Sequence, residues 1–439
     1  MPTFISLTMY NLGNSFCFSI MSKTSAKSGT FTDNMKLPLH RWYRYSAGFS
    51  AEWVEQEIKR YQDQCKKEVI LLEPFTGSGT TNIVSDSLGL KSYGFEGHPF
   101  VAEVAQAKQH WFLPTDIISS LAKNVLNEAK NSVKPCDFYN PDDLLGKCYT
   151  QENFDKLMAL RLAYEKQKDL DPSWLIIKLL ITSILRACSH VGTAQWQYVL
   201  PNKSKSKTLD PFIAFESKLG QILSDMQFAQ SQHWTPKSNI EFHDFRKVKQ
   251  LDQKANLVIT SPPYPNNYDY ADATRLEMMF WGEIKGWGDL KTVVRPTLMR
   301  SCSQHSASDK VVLEELIESP HLHCIRDEIH AVTKELAEVR LTKGGKKTYH
   351  TMIAAYFYDL ALIFENLRLN LSDNSKMIFV IGDSAPYGVY VPADEWLGKL
   401  SISKGFSNYS FDKLRDRNIK WDNRTHKVLL KEGLLTIQG

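Results

Sequence analysis

The sequence predicts an α/β protein built on a doubly wound, mostly parallel, Rossmann-like sheet with helical inserts. Three observations predict it. VILLE (69–73) is an apolar run of strand length that passes into a glycine-rich turn and then a helix to about Leu88. KSYGFE (91–96) and the helix Val101 to Trp111 repeat that order at once, as a parallel sheet requires. NLVIT (256–260) and KMIFVIGDS (376–384) then resume the strand pattern far downstream.

The elements follow in order. Residues 1–38, rich in Ser, Thr and Asn and without the charged-then-apolar order of a signal peptide, are expected to form a flexible lead-in. From Arg41 to Tyr61 a basic, aromatic start becomes an amphipathic helix, with Phe49, Trp53 and Ile58 roughly on one face. A first core part covers 39–112. A helical insert, 113–237, includes the apolar stretch Trp174 to Ala187, which Lys178 and Arg186 mark as a packed helix rather than a membrane span. The second core part, 238–289, holds NIEFH (239–243) and NLVIT. A polar insert, 290–349, precedes the third core part, 350–439, which ends in GFSNYSF, a basic turn and KVLLKEGLLTI as a closing strand or hairpin arm.

Bulk numbers bound the function without choosing it. The 439 residues are 43% hydrophobic and 23% charged, enough apolar material for a large core. Lys and Arg exceed Asp and Glu by 53 to 49, so the total permits nucleic acid without indicating it. Seven cysteines without a CxxC pair fit a reducing cytosol. Cys302, His305, His321, His323 and Cys324 match no zinc spacing and read as a polar loop.

Two constellations carry chemistry. The first is EPFTGSGTT: Glu73, Pro74, Phe75, Thr76, Gly77, Ser78, Gly79, Thr80 and Thr81. Its glycines permit close backbone approach, and the helix behind it offers free N–H groups. Glu96, ending the next strand, stands where a carboxylate can accept from ribose hydroxyls. The loop lacks the GK[ST] ending of a phosphate-cradling loop and the full GxGxxG. It therefore suits a ligand with an adenosine and no phosphate chain, such as S-adenosyl-L-methionine. Alone, a tight strand-to-helix turn would explain it.

The second is Ser261-Pro262-Pro263-Tyr264, directly after NLVIT. At the carboxyl end of a parallel strand it lies where open α/β sheets bind ligands. Two prolines remove two N–H donors, so carbonyls dominate the local polar surface. A hydroxyl, a carbonyl and a ring make a receptor for a flat heterocycle bearing an amino group. Ser261 Oγ and the Pro262 carbonyl would accept its protons while Tyr264 stacks on it. A proline turn ending a strand is the plain alternative, but it does not account for the pairing with the glycine loop.

Together EPFTGSGTT and TSPPY resemble the cofactor-binding and catalytic motifs of the DNA amino-methyltransferases, the N4-cytosine and N6-adenine enzymes. The resemblance implies a Rossmann-like methyltransferase sheet and a bacterial or archaeal cytoplasm. It also implies a double-stranded DNA substrate whose target base is flipped out, and a cognate restriction endonuclease acting on the same site. The segment Arg44 to Ser50, with Tyr45 and Ser46, resembles a further cofactor-contacting element. Glu96 would contact ribose, and Asp244, followed by Phe245, the adenine. The inserts 113–237 and 290–349 become the candidates for target recognition and DNA contact. Lys203, Lys205, Lys207, the GGKK loop (344–347), Arg415, Arg417, Lys420 and Arg424 are the basic spots expected to meet DNA.

Ser261 favours cytosine N4, because resembling enzymes with serine there tend to act on cytosine and those with aspartate or asparagine on adenine. A neutral hydroxyl can also donate to cytosine N3. Cys136, in the only Pro-Cys pair, follows no strand and reads as structural rather than as the nucleophile of carbon-5 methylation. Methylation of RNA or of a protein glutamine, and an inactive DNA-binding module, are the rival readings. Intact Gly77, Gly79, Ser261 and Tyr264 speak against the last.

Overall fold

The computed structural model describes residues 31–439, except 66, 194–197, 267, 345–346 and 418–427. Among the described residues are nine strands: β1 (Ile70–Glu73), β2 (Lys91–Glu96), β3 (Val191–Thr193), β4 (Val199–Ser204), β5 (Ser238–Phe242), β6 (Ala255–Thr260), β7 (Leu371–Gly382), β8 (Asn408–Arg417) and β9 (Leu430–Gln438). Seven form one sheet in the order β5-β2-β1-β6-β7-β9-β8, and β3 and β4 form a separate hairpin. The five strands from β5 to β7 run parallel, while β9 is antiparallel to both β7 and β8. The sheet is thus doubly wound, mostly parallel and Rossmann-like.

The chain fills one half of the sheet outward from β1 and then returns to β1's other side with β6. That reversal opens a crevice at the carboxyl ends of β1 and β6, the place where such sheets bind ligands. The glycine loop leaves β1 there and the SPPY loop leaves β6 there.

Strand periodicity divides the core. Ile378 and Val380 of β7 join Leu71, Leu257 and Ile259 beneath α1 (Ala51–Gln64), which contributes Trp53, Val54 and Ile58. Met377, Phe379 and Ile381 face the opposite side, against the long apolar helix Tyr349–Asn370 and Trp396. Alternation of side chains along a strand gives each face its own layer. β8, at the sheet edge, is mostly exposed and charged, a composition that discourages edge-to-edge pairing.

Packing begins before residue 39, earlier than the sequence predicts. Phe31 and Asn34 are buried, and Asn34 bonds Phe49 O and the Ala51 amide at 2.9 Å each, holding the entry to α1. The region 113–237 contains four long helices, Thr115–Ser132, Gln151–Gln167, Ser173–Cys188 and Pro211–Ser231. They share one apolar core with Leu39, Trp42, the helix α2 (Pro99–Gln109) and residues 271–294. Ion pairs reinforce this: Asp225 accepts from Arg41 and from the Trp42 indole, and Arg186 is paired with fully buried Glu277. A buried carboxylate is tolerated when its oxygens are satisfied this way.

The polar insert is more structured than expected. Cys302 and His305 are buried at and within the short helix Ser303–Ser308, not displayed on a loop. Leu316, Ile329 and Leu336 of the following helices pack on the Tyr349–Asn370 layer. Among the described residues, no three His, Cys, Asp or Glu side chains are grouped to hold a metal ion. No helix among them is long and apolar enough to cross a membrane.

Candidate active site

A cavity of about 850 Å³, its open mouth included, lies in the crevice between β1 and β6. Twelve of the residues singled out from the sequence line it: Tyr45, Pro74, Phe75, Thr76, Gly77, Ser78, Thr80, Glu96, Asp244, Phe245, Ser261 and Pro263. Ser46, Glu73, Gly79, Thr81, Pro262 and Tyr264 lie outside the lining.

The glycine loop is set by its backbone and by two buried carboxyls. Gly77 and Gly79 have φ of +56° and +87°, conformations that cost a side chain about 1–2 kcal/mol. The steric reason for each differs from a simple clash with ligand. A Cβ on Gly77 would come within 2.9 Å of the Tyr45 ring, whereas one on Gly79 would make ordinary contact with Ala105 and Ile240. Gly77 therefore lets Tyr45 close one wall of the cavity, and Gly79 starts the helix Thr80–Ser87.

Glu96 faces the cavity. Its carboxylate accepts from the Gly77 amide at 2.7 Å and the His98 amide at 2.8 Å. Desolvation still pushes its pKa up to about 7, these amides only opposing the shift. Glu73 instead points beneath the loop, outside the cavity lining. It accepts from the Phe75 amide and Thr81 Oγ1 at 3.0 Å each, and from Thr260 Oγ1. Burial pushes it up to about 8. Since Thr260 immediately precedes Ser261, Glu73 ties the two loops together.

The SPPY loop is held by distant side chains. Ser261 Oγ donates to Val380 O of β7 at 3.1 Å, and Tyr356 Oη donates to Pro263 O at 2.9 Å. With its hydrogen turned to Val380, Ser261 Oγ keeps its lone pairs for an incoming donor. Tyr264 is half-buried beside the cavity, its phenol pushed far up by desolvation, with Glu432 adding to the shift.

Asp244 caps the short turn Phe245–Lys247 and pairs with Arg246, whose Nε lies 2.8 Å and Nη2 2.9 Å from its oxygens. Arg246 also pairs with Asp359 at 2.9 Å and donates to Leu298 O at 3.1 Å. Asp359, fully buried, accepts from the Arg300 amide and guanidinium, and the two arginines hold its carboxyl below the usual range despite burial. This network carries Thr297, Leu298 and Met299 onto the cavity wall. The sequence reading missed these three, together with His98, Arg246 and Tyr270. The signals were faint: a lone Asp359 in the apolar run AAYFYDLALIF, and an arginine two places after Asp244.

The basic spots divide. Lys203 and Lys207 are exposed, and exposed Lys347 lies over the Tyr349 ring. Lys205 is not a free cation, because its Nζ donates to Arg186 O at 2.5 Å. Arg415 pairs with Glu432 at 2.8 Å, and Arg417 lies against Tyr264 rather than in solvent. The middle of GGKK, Lys420 and Arg424 lie outside the described residues.

No family model matches the chain. It is 24% identical, over 409 residues, to "Type II methyltransferase M.AvaI" of Nostoc sp., covering 87% of this chain and 82% of that protein. The same name in Anabaena variabilis matches equally. "Type II methyltransferase M.BsoBI" of Geobacillus stearothermophilus is 24% identical over 433 residues, covering 88% and 82%. Among solved structures, an rRNA methyltransferase, aviRa of Streptomyces viridochromogenes, aligns over 89% of this chain and 85% of its own, at 10% identity and a TM-score of 0.27. With the two motifs at one crevice of a Rossmann-like sheet, and relatives of that name along most of its length, this chain resembles the DNA methyltransferases.

Proposed function

We propose that this chain transfers a methyl group from S-adenosyl-L-methionine to an exocyclic amino group of a flipped base in double-stranded DNA, and that the atom is N4 of cytosine. One observation carries the reading: the glycine loop after β1 and the SPPY loop after β6 line the same cavity at the switch point of the sheet.

The cavity fits the cofactor by the chemistry of its walls. Glu96 offers buried carboxylate oxygens for ribose hydroxyls, Asp244 and Phe245 a polar and an aromatic side for adenine, and Tyr45, Ser78 and Thr80 the surface for the methionine part. Ser78 Oγ is buried in this lining without a hydrogen-bond partner among the described residues, as expected of a group awaiting a ligand. When bound, S-adenosylmethionine supplies an electrophilic methyl on its sulfonium.

The chain's own residues do the rest. An aromatic amine holds its lone pair in the ring, so it is a poor nucleophile until its N–H groups are engaged. Ser261 Oγ, oriented by Val380 O, is an acceptor for one of them, and the Pro262 carbonyl is the acceptor proposed for the other. Tyr264 stacks on the extruded ring and limits its rotation. Alignment of this kind provides much of the acceleration, with fixed dipoles in a water-poor site adding to it. Carbon-5 methylation would need a thiolate. Cys136 is outside the cavity lining and its thiol is pushed up by burial, the wrong direction for a nucleophile.

The cytosine assignment rests on serine at position 261, where the resembling adenine enzymes carry aspartate or asparagine. A cognate endonuclease at the same DNA site is the partner this reading expects. Incubation with methyl-labelled cofactor and duplex DNA, followed by nucleoside mass analysis, should yield N4-methyldeoxycytidine. N6-methyldeoxyadenosine as sole product would overturn the base assignment, and unlabelled DNA the reading itself.

A further inference from the structure

Arg417 ends β8, the edge strand, and reaches back to the SPPY loop. Its guanidinium carbon lies 5.0 Å from the centroid of the Tyr264 ring. Nη1 donates to Asp383 O at 2.7 Å, and Nε lies 3.9 Å from Glu432 Oε2. Arg417 is only 13% exposed, whereas Arg415, two places earlier, is 49% exposed. Two apart on the strand, they share one face of the sheet, and Arg417 is the one covered by the SPPY loop.

Gly382, ending β7, makes the contact geometrically feasible. A Cβ there would lie 2.6 Å from Arg417 Nη1 and 3.0 Å from Tyr264 Cε2. Three strands thus converge behind one ring: β7 leaves the space, β8 supplies the cation, and β9 places the Glu432 carboxylate near it. A guanidinium is planar and weakly hydrated, so it can cover an aromatic face while its edge donates to a carbonyl. A phosphate contact would need those donors turned to solvent.

We propose that Arg417 is the positioning residue of Tyr264: it covers one face of the ring, so that the target base stacks on the other. This rests on the methyltransferase reading above. It also withdraws Arg417 from the basic spots that would meet the DNA backbone.

The test compares wild type with Arg417→Met, which keeps bulk without charge, and Arg417→Lys, which keeps charge without the plane. Cofactor affinity by calorimetry, kcat and KM for duplex DNA, and the salt dependence of DNA binding are measured for each. Arg417→Met should lose about tenfold in kcat, in the range of a desolvated cation–aromatic contact. Its cofactor affinity and salt slope should stay at wild-type values. Arg417→Lys should show a smaller fall in kcat and carries the test if the methionine variant does not fold. Wild-type kcat in both variants overturns the inference while leaving the methyltransferase reading intact. A salt slope flattened by about one unit also overturns it, since that marks a lost phosphate contact. A wild-type protein that methylates no DNA removes the reading and the inference together.

Discussion

The two loops that meet at the crevice are built by opposite means. The glycine loop is shaped largely by near neighbours: Glu73 binds an amide two residues on and a hydroxyl eight residues on, and Glu96 binds the Gly77 amide 19 residues back. The SPPY loop depends on partners 93 and 119 residues away, Tyr356 and Val380, and on Arg417 from the edge strand. The difference teaches that the glycine loop is set mostly by nearby sequence, whereas the SPPY loop requires the complete sheet. Changes in the two loops should therefore fail differently.

The largest separation is expected at Tyr264. On the proposed function Tyr264→Ala removes a stacking surface that typically contributes about 1–3 kcal/mol per base, so methyl transfer should fall by roughly 10- to 100-fold. Calorimetry should show cofactor affinity near wild type, because Tyr264 is outside the cavity lining. Equal loss of both would merge the two halves.

Gly77→Leu should give the reverse pattern. A side chain at φ +56° and 2.9 Å from the Tyr45 ring must displace that wall. Cofactor Kd should rise by about tenfold or more, some 1.4 kcal/mol. Gly79→Ala, where the new Cβ finds ordinary contact, should cost about 1 kcal/mol of stability and little affinity, read by denaturant titration.

This asymmetry also explains what could be read from the sequence. The sheet strands, the glycine loop, Glu96 and SPPY were legible because strand periodicity and glycine and proline chemistry act over a few residues. Twelve of the expected site residues share one cavity for that reason. Thr297–Met299, Tyr270 and the Arg246–Asp359–Arg300 network were not legible, because their roles come from contacts across tens of residues that no short spacing records. Nor was the Glu73 contact with Thr260 legible: Glu73 belongs to the motif, yet it turns under the loop to reach a residue of the next core part. The same holds for Arg417, whose basic neighbourhood concealed an inward side chain.

Glu96 adds a pH signature to the cofactor half. With a pKa near 7 it is mostly protonated at pH 6 and mostly ionised at pH 8. On the proposed function the ionised form accepts the ribose hydroxyls, so cofactor affinity should rise with pH across this window, by up to about tenfold. Glu96→Gln should flatten the profile. An unchanged profile in that variant would assign the titration elsewhere.

The smallest effect is expected at Tyr356. Tyr356→Phe removes one donor from Pro263 O and keeps the buried ring. It should cost about 1 kcal/mol, appearing as a roughly fivefold lower kcat with unchanged cofactor Kd.

The most direct measurement is a crystal structure with S-adenosylhomocysteine bound. The ligand should lie in the β1–β6 crevice, with its ribose hydroxyls on Glu96 and its sulfur end turned toward Ser261. A ligand bound elsewhere, or bound there with its sulfur facing away from the SPPY loop, would contradict the proposed function.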